Sequence, residues 1–189
     1  MYNEKILCAG FGGQGVMSLG KLIAYAGMLD GRHVTWMPSY GPEMRGGTAN
    51  CSVVVADQPI GSPIVTTNAT SLIVMNLPSF ERFQHSVIAG GLILFNTSLI
   101  DRQVERQDLV AQPLAASELA AECANPKAAN MVMLGAYMGL KGAPRLDHVA
   151  KAMKKVFSNA SSTLFNQNMK AVRKGMEAVG KVTESQKAA

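Results

Sequence analysis

Two glycine-rich segments carry the residues best suited to chemistry in this 189-residue chain. The first, GFGGQG, has the spacing G-x-G-x-x-G through Gly10, Gly12 and Gly15, and Gly13 and Gln14 lie between them. It stands between a predicted strand and a predicted helix, where main-chain N–H groups and a helix N-terminus can receive a phosphate or carboxylate. The alternative is that the glycines only permit a tight turn and close packing of the helix on the strand.

This first segment lacks the additional residues that a dinucleotide site or a P-loop requires. A dinucleotide site places an acidic residue at the end of the second strand, whereas Asp30 falls in the turn before that strand, which ends in MPSYG. A P-loop closes with Gly-Lys-Ser/Thr, whereas this loop closes with Gly15, Val16 and Met17. Neither NAD binding nor ATP hydrolysis is therefore predicted.

The second segment, SYGPEMRGGTANCSVVV, combines hydroxyl groups, opposite charges and glycines just before a β-branched run. Its candidate binding residues are Ser39, Tyr40, Glu43, Arg45, Gly46 and Gly47. A guanidinium offers five fixed donors to a carboxylate or phosphate, and glycines let the main chain approach a ligand closely. An ion pair between Glu43 and Arg45 that holds the loop together explains the same pattern, and the two interpretations are compatible.

Composition and charge exclude several classes of protein. The net charge is +5 and the pI is near 9.2. A surface that binds single-stranded nucleic acid requires aromatic residues among its basic residues, and none are interspersed here. An anionic cofactor or an acidic partner therefore explains the positive charge. The apolar runs are too short to cross a bilayer and no export signal is evident, which predicts a cytoplasmic protein with no membrane contact. Cys8, Cys51 and Cys123 are widely spaced and predict neither a disulfide framework nor an iron–sulfur cluster; Cys8 and Cys51 are interpreted as core residues.

No side chain is compelling as a general base, so no catalytic residue and no metal site are predicted. His33, His85 and His148 are each interpreted as surface or packing histidines. Asn130, in AANMVMLG, could hydrogen-bond a cofactor or a neighbouring subunit, or satisfy backbone groups at the start of a helix.

Apolar runs bounded by turn residues alternate with helical patterns in the first two thirds of the chain, and the last third reads as helix. Strands are predicted at 5–11, 33–39, 48–57, in SLIVMN, in GGLILFN and at 108–114; helices are predicted at 14–29, near Pro78, and in four segments after residue 114. The 48–57 strand is expected to pair antiparallel with PIGSPIV. This order predicts a three-layer α/β/α sandwich on a mixed, mostly parallel sheet, with a Rossmann-like start and a helical C-terminal third.

Three segments together, CAGFGGQGVMSLGKLIAYAG, PSYGPEMRGGTANCSVVV and NMVMLGAYMGL, closely resemble the gamma subunit, or gamma domain, of the 2-oxoacid:ferredoxin oxidoreductases. The resemblance runs from about residue 4 to about residue 175 and includes the GSPIV turn. It implies one gamma-type catalytic domain over residues 1–180, followed by a tail at 181–189 that is expected to fray.

The resemblance implies a subunit of an enzyme that converts a 2-oxoacid to acyl-CoA and CO₂ and reduces ferredoxin. Thiamine diphosphate, Mg²⁺ and [4Fe–4S] clusters are then expected on the alpha, beta and ferredoxin-like delta subunits, and the isolated chain is expected to be inactive. This chain would close the active site and help to bind coenzyme A. The wording of the first segment most resembles the 2-oxoglutarate and branched-chain (ketoisovalerate) enzymes, with 2-oxoglutarate preferred, although pyruvate relatives share the motifs. A free-standing Rossmann-like nucleotide-binding or sensor protein, and a purely structural subunit of the same complex, are the alternatives.

Overall fold

The computed structural model describes residues 1–40 and 47–187, which form one mixed sheet flanked by helices. The strands are β1 (Asn3–Phe11), β2 (His33–Tyr40), β3 (Thr48–Ala56), β4 (Ala69–Val74), β5 (Val87–Asn96) and β6 (Val110–Leu114). The helices are α1 (Val16–Leu29), α2 (Leu77–Phe83), α3 (Ala116–Glu122), α4 (Ala129–Lys141), α5 (Leu146–Val156) and α6 (Ser162–Lys187). Among these described residues, no helix is both long and apolar enough to cross a membrane. Fraying of residues 181–189 stays a prediction.

The sheet has the strand order β2-β3-β1-β4-β5-β6. The pairs β1–β4, β4–β5 and β5–β6 are parallel, whereas β3 is antiparallel to both β1 and β2. Since β3 is reversed relative to both neighbours, β2 runs in the same direction as β1. The carboxyl ends of β1, β2 and β4 therefore lie along the same edge of the sheet as the beginning of β3. The predicted mixed, mostly parallel sheet is confirmed.

One predicted pairing is wrong. Residues 59–65 were expected to pair with the third strand, but they form no strand, and β3 pairs instead with β1 and β2 along its whole length. Pro59 and Pro63 lack the N–H that a ladder requires, and Gly61 lies between them. The β-branched run of β3 is buried almost throughout, as expected for a strand with a neighbour on each side.

The two faces of the sheet are covered unequally. Alternation along β1 sends Ile6 and Cys8 to one face and Leu7 and Ala9 to the other. The first face packs against α1 and α4, and α3, α5 and α6 pack on those two helices in the same core. The second face is covered by the seven-residue α2, through Phe80, and by extended segments. The predicted three layers are present, and the helical C-terminal third supplies most of one of them.

Helices α4 and α6 touch through their backbones. A Cβ added at Gly135 of α4 would overlap the carbonyl oxygen of Val172 on α6, and one added at Gly175 of α6 would overlap the carbonyl oxygen of Val132 on α4. The two glycines therefore let the helices approach more closely than side chains would allow.

A polar cluster fixes the C-terminal end of α4 to the sheet. Glu4 of β1 accepts hydrogen bonds from Lys141 Nζ at 2.9 Å, Thr70 Oγ1 at 2.9 Å, Ser71 Oγ at 3.1 Å and Tyr137 OH at 3.4 Å. Tyr137 is fully buried, and burial together with the negative charge of Glu4 raises the pKa of its phenol well above the ordinary value. The N-terminal end of the same helix lies at the glycine loop, where Asn130 contacts Gly15.

Candidate functional site

The first glycine segment forms the junction between β1 and α1. Gly13 and Gly15 both have positive φ, at 96° and 77°, a conformation that L side chains rarely adopt. Helix α1 begins at Val16, two residues later than predicted, because Gly15 is left-handed and serves as the N-cap residue. Gly12 and Gly13 are exposed at the tip of the loop. The glycine spacing therefore reflects a real conformational requirement.

The N-terminus of α1 has the electrostatic character of an anion-binding end. No side chain caps it, and no acidic residue lies in its first turn. The first N–H groups of a helix have no partner within the helix, and the helix dipole gives this end a partial positive charge. A loop with positive φ at Gly13 and Gly15, followed by an uncapped helix start, is therefore suited to receive a phosphate or carboxylate oxygen.

Gln14, a predicted cofactor-binding residue, has its side chain engaged within the protein. Its Oε1 accepts a hydrogen bond from the Phe11 N–H at 2.6 Å, and its Nε2 donates to the Met75 carbonyl at 3.3 Å. These bonds join the end of β1 to the residue that follows β4. A Cβ at Gly10 would lie 2.7 Å from the same Oε1, so Gly10 makes room for this side chain. Gln14 thus organises the loop, and its contact with a cofactor stays a prediction.

Asn130 reaches the same loop from helix α4. Its Nδ2 donates to the Gly15 carbonyl at 3.1 Å, and this carbonyl also accepts the first helical bond from the Leu19 N–H at 2.9 Å. The Asn130 side chain is only 6% exposed. Asn130 therefore satisfies a backbone group at the start of a helix, which is one of its two predicted roles. The helix is α1, 115 residues away along the chain, and not the helix that carries Asn130.

The second glycine segment meets the first directly. The Gly12 N–H donates to the Gly47 carbonyl at 3.1 Å, and Gly47 is buried. Ala49 of β3 is in register with both Gly10 of β1 and Tyr40 of β2, so all three strands contribute to one rim. The described residues of the two glycine segments therefore lie at the same edge of the sheet.

The structure describes only some of the other predicted binding residues of the second segment. Ser39 is exposed at the end of β2, next to the rim. Glu43, Arg45 and Gly46 lie outside the described residues, as does the side chain of Tyr40. Their predicted roles in binding stay predictions.

Lys21 is a candidate that the sequence reasoning missed. It lies in the second turn of α1 with its Nζ 5.9 Å from the centroid of the Trp36 ring, and it forms no ion pair within the described part of the chain. This contact places the ammonium group beside the middle of β2, four residues from Tyr40 at the rim. A rotamer directed toward the N-terminus of α1 would bring it closer to the glycine loop. The signal in the sequence was a lysine six residues after Gly15.

The cysteines belong to the core. Cys8 and Cys51 are fully buried and face each other in the β1–β3 register, and Cys123 is also buried. The hydrogen bond between the two facing thiols, together with burial, raises the pKa of Cys8, whereas the same bond lowers the pKa of Cys51. The Cys51 Sγ also donates to the Val16 carbonyl at 3.6 Å, which ties β3 to the first residue of α1.

The histidines are dispersed. His148 of α5 is the most engaged of them, with Nδ1 2.5 Å from Asp30 Oδ1 and Nε2 3.6 Å from Asp147 Oδ2. Within residues 1–40 and 47–187, no three His, Cys, Asp or Glu residues are grouped so as to hold a metal ion. The chemistry that the described rim offers is anion binding by main-chain amides.

The fold and the rim define an open-sheet α/β protein with a glycine loop at the carboxyl edge of its central strand. Residues 5–178 match the family described as pyruvate ferredoxin/flavodoxin oxidoreductase, and the chain therefore belongs to that family. The resemblance predicted from the sequence is confirmed.

Individual relatives match most of the chain. The ketoisovalerate oxidoreductase subunit VorA of Methanothermobacter marburgensis is 43% identical over 72% of this chain, and VorA of Methanothermobacter thermautotrophicus is 37% identical over 92% of it. These alignments cover only 28% and 36% of the two VorA proteins, so the chain spans about a third of their length. The 2-oxoglutarate synthase subunit KorC of Methanocaldococcus jannaschii is 28% identical over 92% of both chains.

Solved structures share the fold. The gamma subunit of a keto/oxoacid ferredoxin oxidoreductase from Geobacter sulfurreducens superposes with a TM-score of 0.77 and 25% identity, covering 92% of this chain and 96% of that one. A 2-oxoglutarate:ferredoxin oxidoreductase from Magnetococcus marinus gives a TM-score of 0.85 at 22% identity, covering 96% of this chain and 32% of that one. The second likeness supports the fold alone.

Proposed function

We propose that this chain is the gamma subunit of a multi-subunit, thiamine-diphosphate-dependent 2-oxoacid:ferredoxin oxidoreductase. The complex would convert a 2-oxoacid to acyl-CoA and CO₂ and reduce ferredoxin. The observation that carries this proposal is the family match over residues 5–178. The names of the relatives, which include subunits of ketoisovalerate, 2-oxoglutarate and pyruvate enzymes, support it.

The electron-transfer and decarboxylation chemistry would be supplied by the partners. We assign thiamine diphosphate, Mg²⁺ and the [4Fe–4S] clusters to the alpha, beta and ferredoxin-like delta subunits of the complex. This chain has no GDG run followed by asparagine, and its three cysteines are dispersed in the core. The isolated chain is therefore proposed to be inactive.

The part assigned to this chain is to close the active site and to help bind coenzyme A. The uncapped start of α1 and the exposed tip at Gly13 would receive a phosphate group of CoA through main-chain N–H donors. Lys21 would add a positive charge close to that group. Arg45, with Glu43, would order the mouth of the site. Placement of the anion and exclusion of water are the contributions of this subunit.

The substrate is proposed to be a 2-oxoacid, with 2-oxoglutarate as the first candidate. The match to KorC of Methanocaldococcus jannaschii over 92% of both chains supports 2-oxoglutarate. The higher identity to VorA proteins, 43% and 37% against 28%, supports ketoisovalerate as the other candidate. The side chains that select the acyl group would lie on the partner subunits.

A purely structural subunit is the second candidate function. The engagement of Gln14 and Asn130 in hydrogen bonds within the protein favours it, because these side chains are used to build the loop. In that case the glycines would serve packing alone.

One experiment separates these functions. The chain is co-expressed with the proteins encoded beside its gene, and the purified complex is assayed for viologen reduction with 2-oxoglutarate, ketoisovalerate and pyruvate at varied CoA. The variants Lys21→Met and Arg45→Ala are each expected to raise the KM for CoA about tenfold, because each removes a charge-assisted contact to an anion. Lys151→Met, which neutralises an exposed lysine on α5, is the matched control and is expected to leave KM unchanged.

The outcomes differ for each function. An active complex whose CoA dependence is the same in all variants would assign the chain a structural role. A complex that reduces viologen with none of the 2-oxoacids would contradict the enzymatic proposal. Tight binding of NAD or FAD by the isolated chain would favour a free-standing nucleotide-binding protein.

A further inference from the structure

A pocket lies between the C-terminal end of α5 and the N-terminal part of α6. Its volume is about 390 Å³, and its lining includes none of the residues of either glycine segment. Binding sites for small molecules usually occupy about 300–1,000 Å³ and combine apolar walls with a few convergent polar groups. Both features are present here.

The walls of the pocket are apolar and partly aromatic. Met153 is almost fully buried at its base, and Phe157 and Phe165 are half-buried beside it. The two rings belong to different structural elements, since Phe157 ends α5 and Phe165 lies in the first turn of α6. An aromatic or branched aliphatic group would gain contacts on both sides in such a space.

Asn168 is a buried donor that lines this pocket. The residue is only 8% exposed, and its Oδ1 accepts a hydrogen bond from Asn125 Nδ2 at 3.2 Å. The same bond leaves the Nδ2 of Asn168 without an acceptor among the described residues. The Nδ2 is therefore open to the pocket, where it can donate to water or to an acceptor on a ligand.

Among the described residues that line the pocket, the one charged side chain is positive. The carboxylate of Glu122, on the neighbouring α3, is paired with Lys174 at 2.8 Å. Lys154 lines the pocket, with Nζ 5.5 Å from the centroid of the Phe165 ring and no ion pair in the described part of the chain. Residues 148–176 contain six Lys or Arg and no Asp or Glu. The N-terminal end of the 26-residue α6 adds the positive end of a helix dipole. The acceptor that enters this pocket is therefore expected to be an anion.

We propose that this pocket binds a small carboxylate with an aromatic or branched aliphatic body. The carboxylate meets Lys154 and the Nδ2 of Asn168, and the body lies between Phe157 and Phe165. The site is separate from the glycine rim and does not depend on the enzymatic role proposed above.

The test uses 4-fluorophenylacetate as the probe and ¹⁹F NMR of the full 189-residue chain as the readout. A ligand of this size is expected to bind saturably with a Kd on the order of 1 mM. Lys154→Met is expected to weaken binding about tenfold, because it removes the charge-assisted contact while retaining the apolar stem. Asn168→Asp keeps an acceptor for Asn125 and places a negative charge beside the ligand, so binding is expected to be lost.

Two controls make the assignment specific. Lys151→Met removes an exposed positive charge from the same helix without altering the lining and is expected to leave the Kd unchanged. The amine 4-fluorophenethylamine, which has a similar ring and the opposite charge, is expected not to bind. Thermal melting of each variant confirms that it is folded.

Three results would overturn the proposal. The first is absence of saturation with the wild-type chain at concentrations well above the expected Kd. The second is equal weakening by Lys154→Met and Lys151→Met, which would indicate a general charge effect. The third is equal binding of the amine and the carboxylate, which would show that the apolar walls act alone.

Discussion

The substitution Gly15→Ala tests whether the glycine loop is held by Asn130. Gly15 has a φ of 77°, and a Cβ added there would overlap Asn130 Nδ2 and lie 2.9 Å from Asn130 Cγ. The substitution therefore has two costs, the left-handed backbone of an L residue and the displacement of the Asn130 amide. Gly31 isolates the first cost, because its φ is 75° and nothing lies within 4 Å of an added Cβ.

The expected magnitudes follow from these two terms. Gly31→Ala is expected to lower the free energy of unfolding by about 1–2 kcal/mol, the cost of a left-handed conformation for a residue with a Cβ. Gly15→Ala carries the same cost plus about 1–3 kcal/mol, because displacing Asn130 breaks its bond to the Gly15 carbonyl and leaves a buried amide unpaired. In a chain of this length that additional term lowers Tm by about 2–12 °C relative to Gly31→Ala.

Urea unfolding and calorimetry of the two variants provide the measurement, and Asn130→Ala completes a double-mutant cycle. With alanine at 130, the two overlapping atoms are gone, and its Cβ lies at the ordinary contact distance of 3.5 Å from the new methyl group. Gly15→Ala in that background is therefore expected to cost no more than Gly31→Ala. The double variant then loses about 1–3 kcal/mol less stability than the sum of the two single variants. Equal destabilisation by Gly15→Ala and Gly31→Ala, with no coupling to Asn130, would refute the reasoning.

Two further predictions concern the helices that position the site. In the folded protein the raised pKa keeps the buried phenol of Tyr137 protonated beside Glu4, while the unfolded phenol ionises from about pH 10, so the free energy of unfolding falls as the pH rises above 10. Tyr137→Phe is expected to reduce that fall by up to about 1.4 kcal/mol per pH unit. Urea unfolding at several pH values measures it, and the same pH dependence in both proteins would contradict the prediction. Gly135→Ala is expected to destabilise the protein by at least about 2 kcal/mol, because its methyl group would overlap the Val172 carbonyl. Its control, Gly180→Ala, has nothing within 4 Å of the added Cβ and should stabilise α6 by up to about 1 kcal/mol. Equal effects of the two substitutions on Tm would show that the close contact between α4 and α6 is unimportant.

The order of strands and helices could be predicted from the sequence because most elements carry strong local patterns. The apolar run of β1 and the helical spacing after Gly15 predicted the junction to within two residues. The partners of β3 could not be predicted in the same way. Pairing is decided by contacts between distant segments, and a β-branched strand carries no signal that distinguishes its neighbours.

The candidate site could be predicted in position and only partly in detail. Glycine spacing at a strand–helix junction located the loop, since positive φ values and an uncapped helix start leave a mark on the sequence. The bond from Asn130 to Gly15 spans 115 residues and leaves no such mark. Lys21 was missed because a single lysine on a helix is usually solvated, and only the tertiary structure places it near Trp36.

The internal bonds of Gln14 and Asn130 also bear on how the loop would bind an anion. Gln14 Nε2 and Asn130 Nδ2 both donate to main-chain carbonyls, those of Met75 and Gly15. Carbonyl oxygens are the groups that would repel a phosphate, and each is held here by a side chain of the protein. The N–H groups of the first turn of α1 have no side-chain cap and stay available as donors. A loop fixed in this way would bind an anion with little ordering cost, so these bonds, which favour a structural role for the two side chains, are also compatible with anion binding by the main chain.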